Sequence, residues 1–270
     1  MTVEKRSAFS LAVATIFWRS LVFNGALYLL TTVVCIFGVW TLLLPRSYLL
    51  RVVHLWERGV SSLERHVLGL QYEIVGREHL PEGACIVAAK HQSIWETLKL
   101  HLLFIDPAIV VKKELLNIPV VGRYLRHAQM IPVDRSAPVS ALVSMIQAAH
   151  DAAREGRKIV IFPQGTRIAP GIPAPYKAGV AGLYQRLSLP VVAMGLNSGF
   201  FWPKGSFLKS PGTITVTFSR VIAPGLDRPH FMEEVHKRIE NSSEVVLEQW
   251  PKPRLRSSPL RVLPDARKHC

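Results

Sequence analysis

A chain of 270 residues is long enough for one sizeable α/β domain with an appendage, because single cores stop growing at about 250–300 residues. An apolar fraction of 49% and a mean hydropathy of +0.22 lie at the upper edge for a soluble protein, and a formal net charge of +14 with a pI of about 10.1 directs the chain toward a polyanion. No zinc-finger spacing, RRM-like aromatic motif or basic-region heptad argues for nucleic acid, which leaves the anionic face of a bilayer, and Cys35, Cys85 and Cys270 lack the spacing of a zinc or redox site.

The apolar residues are richest before Pro45. From Leu21 to Leu44 no residue is charged, and the run exceeds the ~20 positions needed to cross ~30 Å of hydrocarbon. Lys5, Arg6 and Arg19 precede it and Arg46, Arg51 and Arg58 follow it, so the flanking charges give little orientation. Asn24, Gly25 and the run from Ala8 to Trp18 equally permit a shallow helical hairpin in one leaflet. Residues 1–47 are therefore read as a membrane anchor, either spanning or monotopic, and residues 48–250 as the catalytic domain. The basic stretch 251–270 is read as a disordered tail.

After an amphipathic stretch from Tyr48 to Leu68, short β-rich runs alternate with helical ones. The spacing predicts strands at Tyr72–Val75, Ala84–Ala88, Ala108–Val111, Met130–Val133, Lys158–Ile161, Val191–Leu196 and Thr213–Phe218. Helices are predicted over Val139–Glu155, started by Ser136 and Pro138 and stopped by Gly156, and over Pro229–Gln249. Such alternation implies an α/β fold with a mixed, largely parallel sheet flanked by helices, behind an N-terminal membrane helix or helical hairpin.

Chemistry is concentrated just after these strands. Lys90–Thr97, KHQSIWET, follows one strand and opens a helix, where open α/β sheets place their sites. His91 supplies a base and Glu96 a carboxylate able to fix its tautomer. Ser93 has no nucleophile elbow around it and fits a helix N-cap, with Glu96 completing a capping box. On this motif alone, a capping role for Glu96 beside an ordinary histidine explains the residues equally well. Ile161–Arg167, IFPQGTR, offers a Gly165 turn with the backbone of Gln164 and Thr166 beside the Arg167 guanidinium, an arrangement suited to a phosphate but also to a plain turn. Asp134-Arg135 and Lys112-Lys113 follow two more strands. In a parallel sheet, Lys112, Arg135 and Arg167 converge near His91 as a polyanion pocket with a base at its rim.

The order of these motifs resembles the 1-acylglycerol-3-phosphate (lysophosphatidate) acyltransferases of the glycerolipid acyltransferase family, over roughly residues 72–218. The family's H-x-x-x-x-D stands here as His91 to Glu96, its G-x-x-F-I-D-R as QMIPVDR ending in Arg135, its F-P-E-G-T-R as Phe162 to Arg167, and its V-P-V-V-P as Leu189 to Ala193. Glu96, Gln129, Gln164 and Ala193 replace the family's Asp, Gly, Glu and second Pro. The resemblance implies that His91 deprotonates the acceptor hydroxyl, Glu96 orients the imidazole, Arg135 and Arg167 hold the acceptor phosphate, and a lysine of Lys112-Lys113 lies near the reaction centre. It also implies acyl-CoA or acyl carrier protein as donor substrate, oxyanion stabilisation by backbone donors around Gly165, and no cofactor, metal or covalent acyl-enzyme. The expected partners are a lysophospholipid, the thioester carrier and the bilayer, with no nucleic acid, and the expected place is the cytoplasmic side of an inner membrane. The neutral Gln164 leaves open a lyso-aminolipid acceptor, and the replacements leave open a non-catalytic lipid-binding homologue.

Overall fold

A computed structural model describes residues 3–248; the basic stretch 251–270 and Cys270 lie outside the described residues. Seven strands form one sheet: β1 (Leu70–Val75), β2 (Cys85–Ala89), β3 (Ala108–Lys112), β4 (Ile131–Val133), β5 (Lys158–Ile161), β6 (Val191–Leu196) and β7 (Gly212–Phe218). Their order is β1-β7-β6-β2-β5-β3-β4, and every pairing is parallel except β6 with β7. Each predicted strand overlaps an observed one. The reason is that β2, β5 and β6 are covered on both faces and so read as unbroken apolar runs.

Side chains alternate between two cores, as the two-residue period of a strand requires. Val87 and Ala89 of β2 face one cluster with Phe23, Leu49, Trp95 and Leu100, and Ile86 and Ala88 face the other with Met145, Ala149, Leu183 and Phe231. The first cluster is covered by α1 (Val3–Phe37), α2 (Arg46–Leu63) and α3 (Leu100–Leu103); the second is covered by α5 (Pro138–Arg154), α6 (Gly179–Leu187) and α8 (Arg228–Glu248). Adjacent strands β2 and β5 thus send their connections to opposite faces, which opens a crevice at their C-terminal ends.

The apolar N-terminal run is one-sided. Val13–Leu43 is long and apolar enough to cross a membrane by length and composition, yet Ser20 and Phe23 of α1 are fully buried against the sheet domain. Ser20 Oγ accepts the Lys209 backbone N–H at 2.9 Å, Asn24 Nδ2 donates to the Phe207 carbonyl at 3.1 Å, and the Tyr124 hydroxyl donates to the Cys35 carbonyl at 2.9 Å. The opposite side exposes Trp18, Tyr28, Leu29 and Phe37. At Gly38, where an added Cβ would meet the Val34 carbonyl oxygen at 2.5 Å, the helix gives way to a 3-10 turn (Val39–Leu43) and returns as α2, a helical hairpin. The Trp56 indole of α2 donates to Thr31 Oγ1 at 3.1 Å across it.

Charged residues buried beneath α2 tie it to the segment after β2. Lys99, fully buried, reaches Glu64 at 2.8 Å and Ser61 at 2.7 Å, and Glu57 accepts His101 Nδ1 and the Leu102 N–H. Burial raises the Glu64 carboxyl above its ordinary range against the opposing pull of Lys99. Gln129, which stands where the family pattern has glycine, lies at φ +53, the left-handed region that glycine adopts without a Cβ penalty.

Candidate active site

β2 delivers His91 to the C-terminal edge, where three elements hold it. The His91 backbone N–H donates to Gln164 Oε1 at 2.8 Å, and its carbonyl accepts the Ile168 N–H at 2.8 Å, so the turn after β5 is bolted to both sides of the histidine backbone. The imidazole stacks on Phe162 with ring centroids 4.1 Å apart. Its Nδ1 lies 2.9 Å from Glu96 Oε1. An Nδ1–H donated to a carboxylate leaves the lone pair on Nε2, the nitrogen that faces away from Glu96.

Glu96 is fully buried and bonded through both oxygens. Oε1 also accepts the backbone N–H groups of Gln92 at 2.6 Å and Ser93 at 2.7 Å, and Oε2 accepts the Ser198 hydroxyl at 2.8 Å. One carboxylate therefore makes both the capping contact to the Ser93 N–H and the bond to His91 Nδ1. The predicted helix start at Ser93 differs in detail. A 3-10 turn (Glu96–Lys99) comes first, and Ser93 Oγ accepts the Trp95 N–H at 3.1 Å, because Oε1 draws the preceding loop tight around itself.

Two supports have no counterpart in the motifs. α7 (Ser198–Phe201) follows β6 and braces the carboxylate through Ser198, while Gln92 Oε1 accepts the Gly199 N–H at 3.1 Å. A Cβ at Gly199 would meet Pro170 at 2.7 Å, so the close approach depends on glycine. On the other face, Lys90 pairs with Glu240 of α8, which also accepts the Tyr176 hydroxyl at 2.7 Å. Burial and the Glu240 charge push that phenol well above its ordinary pKa. The available signal was positional: Ser198 follows a strand ending at the same edge.

The cations share the edge but sit at graded distances. With β2, β5, β3 and β4 as successive neighbours and roughly 4.8 Å between strands, Arg167 lies one strand from His91, Lys112 and Lys113 about two, and Arg135 about three, or ~14 Å. Lys112 pairs with Glu114 and Lys113 with Asp134, each at 2.9 Å. Asp134 also accepts the Ser136 hydroxyl and N–H, which with Lys113 hold its carboxyl well below the usual range. Among the described residues, the guanidiniums of Arg135 and Arg167 have neither ion pair nor side-chain hydrogen bond, and Arg135 is exposed. Gly165, at φ +69, gives its N–H to the Phe162 carbonyl, and among the described residues the backbone N–H groups of Gln164, Thr166 and Arg167 have no hydrogen-bond partner. Gln164 is buried; its Oε1 accepts the His91 N–H and so holds the histidine backbone, while its Nε2 has no hydrogen-bond partner among the described residues.

A family model described as Acyltransferase matches residues 71–197, which contain all of these groups except the α7 brace from Ser198 onward and the partners on α8. The chain is 36% identical over 189 residues to the 1-acyl-sn-glycerol-3-phosphate acyltransferase of Pseudomonas aeruginosa, covering 70% of this chain and 74% of that one. It is 31% identical over 182 residues to the enzyme of the same name from Limnanthes alba, covering 67% and 65% of the two chains. The crystal structure of the 1-acyl-sn-glycerophosphate (LPA) acyltransferase PlsC from Thermotoga maritima superposes with a TM-score of 0.69 at 22% identity, covering 84% of this chain and 97% of that one, and shows the same fold. By sequence, and with the histidine-carboxylate turn lying inside the matched region, the chain belongs to the acyltransferase family that includes the 1-acyl-sn-glycerol-3-phosphate acyltransferases.

Proposed function

We propose that the chain transfers a fatty acyl group from acyl-CoA or acyl-ACP to the free hydroxyl of 1-acylglycerol 3-phosphate, giving phosphatidic acid. The observation that carries this reading is the His91–Glu96 pair, with Nδ1 committed to the carboxylate and Nε2 left as base on an edge bearing two guanidiniums without an ion pair among the described residues. Nε2 takes the acceptor hydroxyl proton as that oxygen attacks the thioester carbonyl, and Glu96 stabilises the imidazolium so formed. The tetrahedral intermediate collapses with loss of thiolate, which receives the proton from His91. The turn N–H groups of Gln164, Thr166 and Arg167 are the donors available to the oxyanion. Arg167, one strand away, holds the acceptor phosphate, with Arg135 farther along the edge. No cofactor or metal takes part in this scheme.

Gln164 holds the His91 backbone through its amide oxygen, a bond a glutamate oxygen can also make, so its neutrality is compatible with the phosphate-bearing acceptor; the lyso-aminolipid acceptor stays as the alternative. The hairpin within residues 1–47 and α2 is the membrane element, and its one-sided packing through Ser20, Phe23 and Asn24 favours seating in one leaflet over crossing it. Residues 48–250 carry the chemistry, on the cytoplasmic side of an inner membrane. The test is purified enzyme with a panel of labelled lysolipids and both thioester carriers, read by product mass. Phosphatidic acid is expected as the main product; a preference for an acceptor without phosphate overturns the assignment.

A further inference from the structure

The membrane hairpin does not meet the catalytic domain alone. Two loops at the catalytic edge touch α1 and expose apolar side chains beside it. The first follows β3: a 3-10 turn (Lys113–Asn117) leads through Ile118 and Val120 into α4 (Val121–His127), with Leu115, Ile118 and Val121 exposed at every third position. Tyr124, one helical turn from Val121 on the same side of α4, donates to the Cys35 carbonyl near the hairpin tip, where Phe37 and Leu43 are also exposed. The second loop follows α7 and runs through Phe207 and Leu208, both exposed. Its Phe207 carbonyl accepts Asn24 Nδ2, and the Phe207 ring lies 5.8 Å from that of exposed Phe17.

The backbone is held in place to present these residues. Val120, β-branched, sits at φ +63, a conformation such residues rarely adopt, and Gly122 behind it passes so close to the Leu116 carbonyl that a Cβ would lie 1.9 Å from the oxygen. Isolated exposed apolar residues are ordinary, but these join the outward face of α1 into one surface. Cations border it: Arg123 on one side and Lys204 on the other, both exposed, as suits side chains that reach anionic headgroups while apolar neighbours lie deeper, with Lys112 and Lys113 nearby paired to Glu114 and Asp134.

We propose that the 115–121 segment and the Phe207-Leu208 loop insert into the boundary between headgroups and acyl chains, sharing the membrane contact with the hairpin. The catalytic edge is thereby held at headgroup depth, where His91 meets an acceptor that never leaves the leaflet. This rests on the reading of the hairpin as the membrane element.

The experiment places a single nitrobenzoxadiazole-labelled cysteine at Ile118, Leu208, Leu43 or Val143 in a full-length Cys35→Ala, Cys270→Ser background, Cys85 being fully buried. The protein is reconstituted in phosphatidylethanolamine–phosphatidylglycerol vesicles with and without doxyl-labelled lipid. Ile118 and Leu208 should be quenched as Leu43 is, while Val143, exposed on α5 behind the other face of the sheet, should not. Quenching at Leu43 without quenching at both loop sites overturns the proposal and leaves the hairpin reading intact; no quenching at Leu43 overturns both. In a second arm, Ile118→Asp with Leu208→Asp should raise the KM for vesicle-borne acceptor about tenfold or more, since burying one such side chain contributes about that factor. Turnover of a short-chain monomeric acceptor should stay at the parent level. An unchanged vesicle KM, or equal loss on both acceptors, refutes insertion.

Discussion

Replacing Glu96 by Gln separates the charge of this residue from its geometry. Oε1 accepts three donors, His91 Nδ1 at 2.9 Å and the Gln92 and Ser93 N–H groups at 2.6 and 2.7 Å. A glutamine must keep its oxygen there, because an amide NH2 cannot face two backbone N–H groups, so the imidazole keeps the same tautomer and orientation. The amide nitrogen then faces Ser198, whose hydroxyl must turn from donor to acceptor. That single reversal costs about 1 kcal/mol or less, a shift of roughly 2–4 °C in Tm for a domain of this size. The lost charge matters far more: at an effective dielectric of about 20, a carboxylate about 4 Å from an imidazolium contributes about 4 kcal/mol, or about a thousandfold in kcat. Steady-state thiol release and thermal unfolding on the same preparations check both halves. Near-parent turnover in Glu96→Gln, with Tm unchanged, would refute stabilisation of the imidazolium by the Glu96 charge; a collapse in Tm would refute the geometric argument.

Arg167→Ala should raise the acceptor KM more than the donor KM, by roughly 1.5–3 kcal/mol of charged hydrogen bonding, and Arg167→Lys should rescue only part, having lost the planar fork; two-substrate kinetics decide. Arg135→Ala should act in the same direction. Ser198→Ala strands Glu96 Oε2 without its donor, so kcat should fall about tenfold with KM nearly constant, and Ser198→Thr should restore part of it. Lys209 is buried among the Phe23, Trp202 and Phe207 rings, and burial lowers its amine from the usual 10.5 to about 8. The unfolded chain therefore binds more protons between these values, and stability should rise as pH climbs through that window. Thermal unfolding of Lys209→Met should show a flatter pH dependence there.

The strands were legible because a sheet covered on both faces demands continuous apolar runs, and the central β2, β5 and β6 supply them. The position of His91 and Glu96 after β2 was legible for a related reason, since strand ends are where α/β sheets expose chemistry. The supports were not. Ser198 reaches Glu96 from 102 positions away and Gln164 reaches the His91 backbone from 73, and neither separation leaves a local pattern. Gln164 stands in the motif read as holding the acceptor, and its contact to the His91 backbone is an addition that no local pattern announces. The N-terminal run was legible by its hydropathy and length, but not the protein contacts of Ser20 and Asn24, which reach Lys209 and Phe207 from far along the chain. Gln129 ran the other way, a departure from the family glycine that keeps the left-handed backbone glycine would have eased.

The central claim, that His91 Nε2 activates the acceptor hydroxyl, is tested most directly by kcat for His91→Ala and parent enzyme with 1-acylglycerol 3-phosphate in matched vesicles, alongside the thermal unfolding of each. General-base catalysis with its charge partner predicts a loss of about 10³ or more with a folded protein. Turnover within about tenfold of the parent, forming the same phosphatidic acid, would contradict the account.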